Sequence, residues 1–163
     1  SVRGARVFTE VFLKKDVFER VFKCPIEDFA ALAHIGNSGS VLAGTMGGMV
    51  VNSANVITAM YAATGQDIAC VLESSSHNLF YELRPDGVYW SCTFNSIVTG
   101  TKSSAARLPT QQECLKLLGC TGENGAEKLA EIIAAFCVAL DISTLAAMSN
   151  DTFSSAHRTL GRG

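Results

Sequence analysis

Residues 5–13, Ala-Arg-Val-Phe-Thr-Glu-Val-Phe-Leu, alternate apolar with polar positions and carry β-branched and aromatic side chains, which predicts a strand. The period then changes. A short helix is expected from Asp16 to Lys23, stopping ahead of Pro25, because the residue before a proline is steered away from helical geometry. Residues 26–34 predict a second helical piece, broken by Gly36-Asn37-Ser38-Gly39. Residues 40–64 are rich in small side chains, which let another backbone or a ligand come close. Within them, Asn52 to Thr64 predicts a helix with Val56, Ile57 and Met60 on its buried face and Gly65 as terminator. Residues 77–84 and 88–94 read as a hairpin around Pro85-Asp86-Gly87. A helix from Thr110 to Leu118 has Thr110 as cap and Glu113 at the capping-box position. Asn124 and Glu127 repeat that signal and open the longest helix, from Gly125 to about Ser149. Its Leu129, Ile132, Ile133, Phe136, Cys137 and Leu140 follow helical spacing on more than one side, which predicts a central position.

The chain has 163 residues, 48% hydrophobic and 17% charged, the composition of one globular domain over residues 1–163. A net charge of −2 gives no footprint for nucleic acid or an anionic membrane. Lys14, Lys15 and Arg20 read as a solvated helix face. Glu131 and Asp141 interrupt the longest apolar stretch, so no membrane span is expected. The N-terminal residues lack the apolar core of a signal peptide, and a cytoplasmic protein is expected. The six cysteines form no C-x-x-C pair and sit in apolar contexts, so they are expected as reduced core thiols. No metal-ligand spacing occurs among Cys and His. Trp90 is expected in the core, and His34 and His77 at the surface or as satisfied core residues.

Candidate chemistry centres on a carboxylate, Asp67 in Gly65-Gln66-Asp67, and an imidazole, His157. Their surround is distinctive. Gly39-Ser40-Val41-Leu42-Ala43-Gly44-Thr45-Met46-Gly47-Gly48 is followed by Ala54-Asn55-Val56-Ile57-Thr58-Ala59 and then by Gly65-Gln66-Asp67. Glu73-Ser74-Ser75, Ser96-Ile97, Gly100-Thr101, Leu108-Pro109-Thr110-Gln111 and Leu117-Leu118-Gly119 continue the series, ahead of the long helix and His157. In this order the segments resemble 3-hydroxy-3-methylglutaryl-CoA reductases, the eukaryotic type in particular, over residues 3–162.

The resemblance implies an α+β fold: a long central helix surrounded by helices and a small mixed sheet, as in the later part of that family's large substrate-binding domain. It implies a homodimer whose small-molecule sites lie between subunits. It matches Asp67 to the catalytic aspartate and His157 to the histidine that protonates the departing CoA thiolate. Asn55 matches a substrate-lining position, and Ser40 and Ser74 fall in segments that contact substrate or shape the pocket. Asn52, Lys102, Ser103 and Ser104 are further substrate-binding candidates by segment.

The sequence also departs from the family. The early glutamate motif, the catalytic lysine loop and the NADP(H)-binding motif of the small domain do not occur in it. Val50-Val51-Asn52-Ser53-Ala54-Asn55 stands where the family has Asn-Ala-His-Ala-Ala-Asn, and Ser103-Ser104-Ala105 where it has three glycines. Gln66-Asp67-Ile68-Ala69-Cys70 replaces Gln-Asp-Ala-Ala-Gln, and Ser149-Asn150-Asp151-Thr152 replaces the segment with Ala-Gly-His. Reducing a thioester to an alcohol takes two hydrides, which no side chain supplies. The expectation is therefore a truncated relative without a cofactor. It would serve as an acid/base catalyst of cyclisation, isomerisation or pericyclic closure in secondary metabolism. Two alternatives stand beside it: a reductase part completed by another chain, and a non-catalytic binding protein.

Overall fold

The computed structural model describes residues 3–45, 51–103 and 105–150. Strand β1 (Ala5–Lys14) leads into a short helix, α1 (Lys15–Val17), that widens into a π-turn over Phe18–Phe22. Lys23 ends it in the left-handed region at φ 52°. Pro25 then stands at the N-cap of α2 (Ile26–Leu42).

Helix α2 runs straight through Gly36-Asn37-Ser38-Gly39, where the sequence predicted a break. The Ser40 hydroxyl donates to the Gly36 carbonyl at 2.8 Å. The buried residues Ile26, Phe29, Ala30 and Ala33 anchor the N-terminal half. Packing there outweighs the roughly 1 kcal/mol that each helical glycine costs.

Helix α3 (Ser53–Thr64) ends at Gly65, at φ +69°, as expected. Its buried face is Ser53, Ile57, Tyr61 and Thr64, and Val56 and Met60 are only partly covered. A 3-10 turn (Ile68–Cys70) and α4 (Val71–Ser75) lead to the hairpin of β2 (His77–Arg84) and β3 (Gly87–Ile97). Helix α5 (Pro109–Leu117) begins one residue earlier than predicted, with Pro109 in its first turn and no side-chain cap from the residue before. Proline there is preorganised for a helix start, which displaces Thr110 from the capping role. Helix α6 (Gly125–Ser149) has Asn124 at its N-cap, without a side-chain capping bond.

The sheet order is β1-β3-β2, antiparallel throughout rather than mixed. Register runs from Lys14↔Gly87 to Ala5↔Ile97 on one side of β3 and from Arg84↔Gly87 to His77↔Phe94 on the other. Val88, Trp90, Cys92 and Phe94 alternate onto the core face of β3, each at most 1% exposed. Trp90 packs near Phe29, which meets Phe18 edge-on at 5.2 Å.

Helix α6 lies against β1, α3, α2 and β3. Its core face is Leu129, Ala130, Ile133, Ala134, Cys137, Val138, Ile142, Leu145 and Ala146, joined by the buried carboxylate of Asp141. Its other face leaves Phe136 54% exposed, so the helix is covered on one side rather than all round. By length and composition α6 is long and apolar enough to cross a membrane. Asp141 does not interrupt it, because that carboxylate is folded into the core. The six cysteines are all free, five buried and Cys114 half-buried, as expected.

Candidate functional site

The chain places Asp67 at the end of α3, where Gly65 turns the backbone through the left-handed region. The turn is held from several sides. Gln66 Nε2 donates to the Thr64 carbonyl at 2.9 Å, and its Oε1 accepts from Gly100 N at 2.7 Å. Ser103 Oγ accepts from Ala106 N at 3.1 Å and lies 3.4 Å from the Gly65 carbonyl. The backbone of Ala105 and Ala106 comes so close to Gly65 that a Cβ there would lie 2.6 Å from it. The turn and the 100–106 loop therefore fix each other.

Asp67 itself is exposed. It caps the 3-10 turn by accepting from Ala69 N at 3.0 Å, and Cys70 Sγ lies 3.7 Å from its other oxygen. Arg3, which the sequence did not single out, pairs with Glu73 at 3.0 Å and reaches Cys70 Sγ at 3.4 Å. Burial is the main cause that pushes the Cys70 thiol up, which argues against a reactive thiolate. Only the fold reveals this cluster, because Arg3 is 67 residues from Cys70 in the chain.

The other candidates divide. Lys102 and Ser103 are exposed on the loop beside the Asp67 turn, so these join Asp67 in one region. Asn55 is exposed on the first turn of α3, at the opposite end from Asp67, about 14 Å of helical rise from Thr64. Asn52 is half-buried, with Nδ2 donating to Thr144 Oγ1 at 2.6 Å and its backbone N–H to Asp141 Oδ1 at 2.8 Å. Ser40 is bonded back to its own helix. Ser74 is fully buried, its hydroxyl taking a bond from Tyr61 OH at 2.8 Å and one from Val98 N at 3.2 Å, which is a packing role. His157 and Ser104 lie outside the described residues.

Two enclosed polar residues form a pair that the sequence did not single out, although a core position was one of the two expected for His77. His77 is 2% exposed and Asp141 3%, and His77 Nε2 lies 3.7 Å from Asp141 Oδ2. Burial pushes the Asp141 carboxyl up to about 6 and pulls the His77 imidazole down. Position 141 follows Cys137 by one helical turn on the same buried face, and a charge there was the available signal. Elsewhere, an apolar groove of about 370 Å³ runs between β1 and α6, lined by Val11, Leu13, Phe22, Val138 and Ile142 among others, without Asp67. Among the described residues no group of three His, Cys, Asp or Glu side chains is arranged to hold a metal ion.

The family model for hydroxymethylglutaryl-coenzyme A reductase matches residues 1–162. The chain belongs to the hydroxymethylglutaryl-coenzyme A reductase family. It is 37% identical to the 3-hydroxy-3-methylglutaryl-coenzyme A reductase of Methanocaldococcus jannaschii, over 98% of this chain and 40% of that protein. The Aeropyrum pernix enzyme of the same name is 38% identical over 99% of this chain and 39% of its own length. Reductase 1 of Oryza sativa subsp. indica is 36% identical over 98% of this chain and 31% of its own length. The chain thus spans two-fifths or less of each of these relatives. The family resemblance carried by Gly65-Gln66-Asp67 and its flanking segments holds over nearly the whole sequence.

Proposed function

We propose that this chain supplies the Asp67-bearing part of a hydroxymethylglutaryl-coenzyme A reductase-type catalyst, and that further polypeptide completes the site. One observation carries this reading. Asp67 is fixed on a rigid turn yet stands exposed, braced from beneath by Gln66 and Ser103 and not enclosed by the other described residues. A carboxylate positioned this way can pair with a cation or hold a proton for a substrate seated against it. It cannot by itself exclude water from a thioester. The family's NADP(H)-binding motif does not occur in the sequence, so the proposal assigns the nicotinamide to that further polypeptide. His157, a homodimer with sites between subunits, and a cytoplasmic location belong to the same proposal.

A second reading, a cofactor-independent acid/base catalyst, is favoured by Ser103. Its hydroxyl is built into the loop where the family resemblance expects glycine. A chimera decides between them: residues 1–162 replace the matching segment of the Methanocaldococcus enzyme. The first reading expects NADPH consumption with hydroxymethylglutaryl-CoA, abolished by Asp67→Asn. A folded chimera without turnover would refute it and favour the second.

A further inference from the structure

Strand β1 is an edge of the sheet and a long one, 10 residues without a proline. Folded proteins keep open edges short or cover them, because unpaired N–H and C=O groups accept another strand. Lys15 N donates to Asp86 O at 2.9 Å, one step past the Lys14↔Gly87 pair. Bonding and non-bonding pairs alternate along an antiparallel ladder, so Leu13, Val11 and Thr9 turn their amides toward β3. The amides of Phe12, Glu10 and Phe8 turn the other way. Among the described residues no strand meets them there.

An apolar floor lies beside this edge. The groove of about 370 Å³ has Val11 and Leu13 on its strand side and Ala135, Val138, Ala139 and Ile142 on its helix side. Ala135 and Ala139 are exposed, and next to them α6 turns Phe136 and Leu140 outward, 54% and 41% exposed. A second cleft, of about 440 Å³, continues along β1 from Ala5 to Thr9 and is polar, with Arg6, Glu127 and Glu131. No residue of β2, the other edge, lines either one. Paired strands lie about 4.8 Å apart and alternate their side chains between two faces. A strand on the free edge of β1 would therefore send every second side chain onto α6.

We propose, on the reading that further polypeptide completes this catalyst, that an extended segment of that polypeptide pairs with the free edge of β1. Its inward side chains lie on α6, apolar beside Val11 and Leu13 and polar beside Arg6, Glu127 and Glu131. At least three-fifths of each relative compared lies outside the matched segment, which is ample chain to provide one strand. A second copy of this chain fits less well, because the inward side chains of its β1 already rest on its own α6.

Hydrogen–deuterium exchange at single-amide resolution compares the isolated chain with the Methanocaldococcus chimera. In the isolated chain the Phe8, Glu10 and Phe12 amides should exchange fast and the Val11 and Leu13 amides slowly, at every chain concentration. In the chimera the first three should slow by about tenfold or more, the effect of an added hydrogen bond. Ala139→Glu, on the exposed wall of the groove, should leave the isolated chain's melting point unchanged and lower that of the chimera. Slow exchange at Phe8, Glu10 and Phe12 in the isolated chain would overturn the pairing, because this chain or a second copy would then hold the edge. So would a folded chimera in which those amides stay fast. Turnover by the chimera without the added protection sinks the pairing and leaves the reading of Asp67 standing, and protection without turnover does the reverse. If the chimera does not fold, the remainder of the Methanocaldococcus enzyme is added as a separate chain, and absence of slowing there counts against the pairing.

Discussion

Gly65→Ala and Gly39→Ala make the same chemical change and are expected to move stability in opposite directions. Gly65 sits at φ +69°, where a side chain costs about 1–2 kcal/mol. A Cβ there would also lie 2.6 Å from the carbonyl carbon and oxygen of Ala105 and from Ala106 N. These are backbone atoms held by Ser103, so they cannot swing aside, and such overpacking adds about 1–3 kcal/mol. The sum, about 2–5 kcal/mol, is a large share of the roughly 5–15 kcal/mol that holds a domain folded. Gly39 lies within α2, and a Cβ there meets nothing within 4 Å. Alanine at that position should stabilise by about 0.5–1 kcal/mol through helix propensity. Urea unfolding reports both, followed by the fluorescence of Trp90, the single tryptophan and 1% exposed. Equal midpoints for wild type and Gly65→Ala would show that the turn and the 100–106 loop do not lock each other. The support assigned to Asp67 would then fail.

Asp141 makes stability fall as pH rises. Burial holds its folded value up at about 6, above the ordinary 3.8, so the native state keeps a proton that the unfolded chain has released, and that stabilisation is lost as pH climbs to about 6. His77 acts in the opposite sense, since its lowered value makes the unfolded chain the tighter proton binder below its ordinary range. Wild type and Asp141→Asn both keep His77, so wild type should lose about 2 kcal/mol relative to Asp141→Asn between about pH 4 and about pH 7, by denaturant unfolding at each pH. Thiol labelling of the native chain at mildly alkaline pH should begin at half-buried Cys114. Cys92 and Cys137, both pushed up to about 12, should label only on unfolding, and mass spectrometry of the digests distinguishes them. Ile133→Ala should cost about 2–5 kcal/mol, because that side chain is 0% exposed in the middle of α6. Phe136→Ser, on the open face of the same helix, should change the isolated chain's unfolding free energy by about 0.5 kcal/mol or less.

The local pattern alone determined most elements. Alternation marked β1 and the β2–β3 hairpin, and Gly65 ended α3 because only a residue without a Cβ turns there cheaply. The recurring motifs carried the family, and with it the expectation for Asp67. What stayed illegible depended on neighbours distant in the chain. Helix α2 survives Gly36 and Gly39 because Phe29 and Ala33 are buried against the rest of the core. Asp141 looked like a charge that would interrupt an apolar helix. Asn52, Ser53 and His77, from two other elements, surround it instead and allow a carboxyl to lie inside. Asn55 and Asp67, close in sequence, are held at opposite ends of one rigid helix, while Arg3 arrives beside Cys70 from the other end of the chain. Sequence encodes short-range preference well, since a few dihedral angles and one face decide it. Burial and charge pairing are set by which surfaces meet, and only the assembled core decides that.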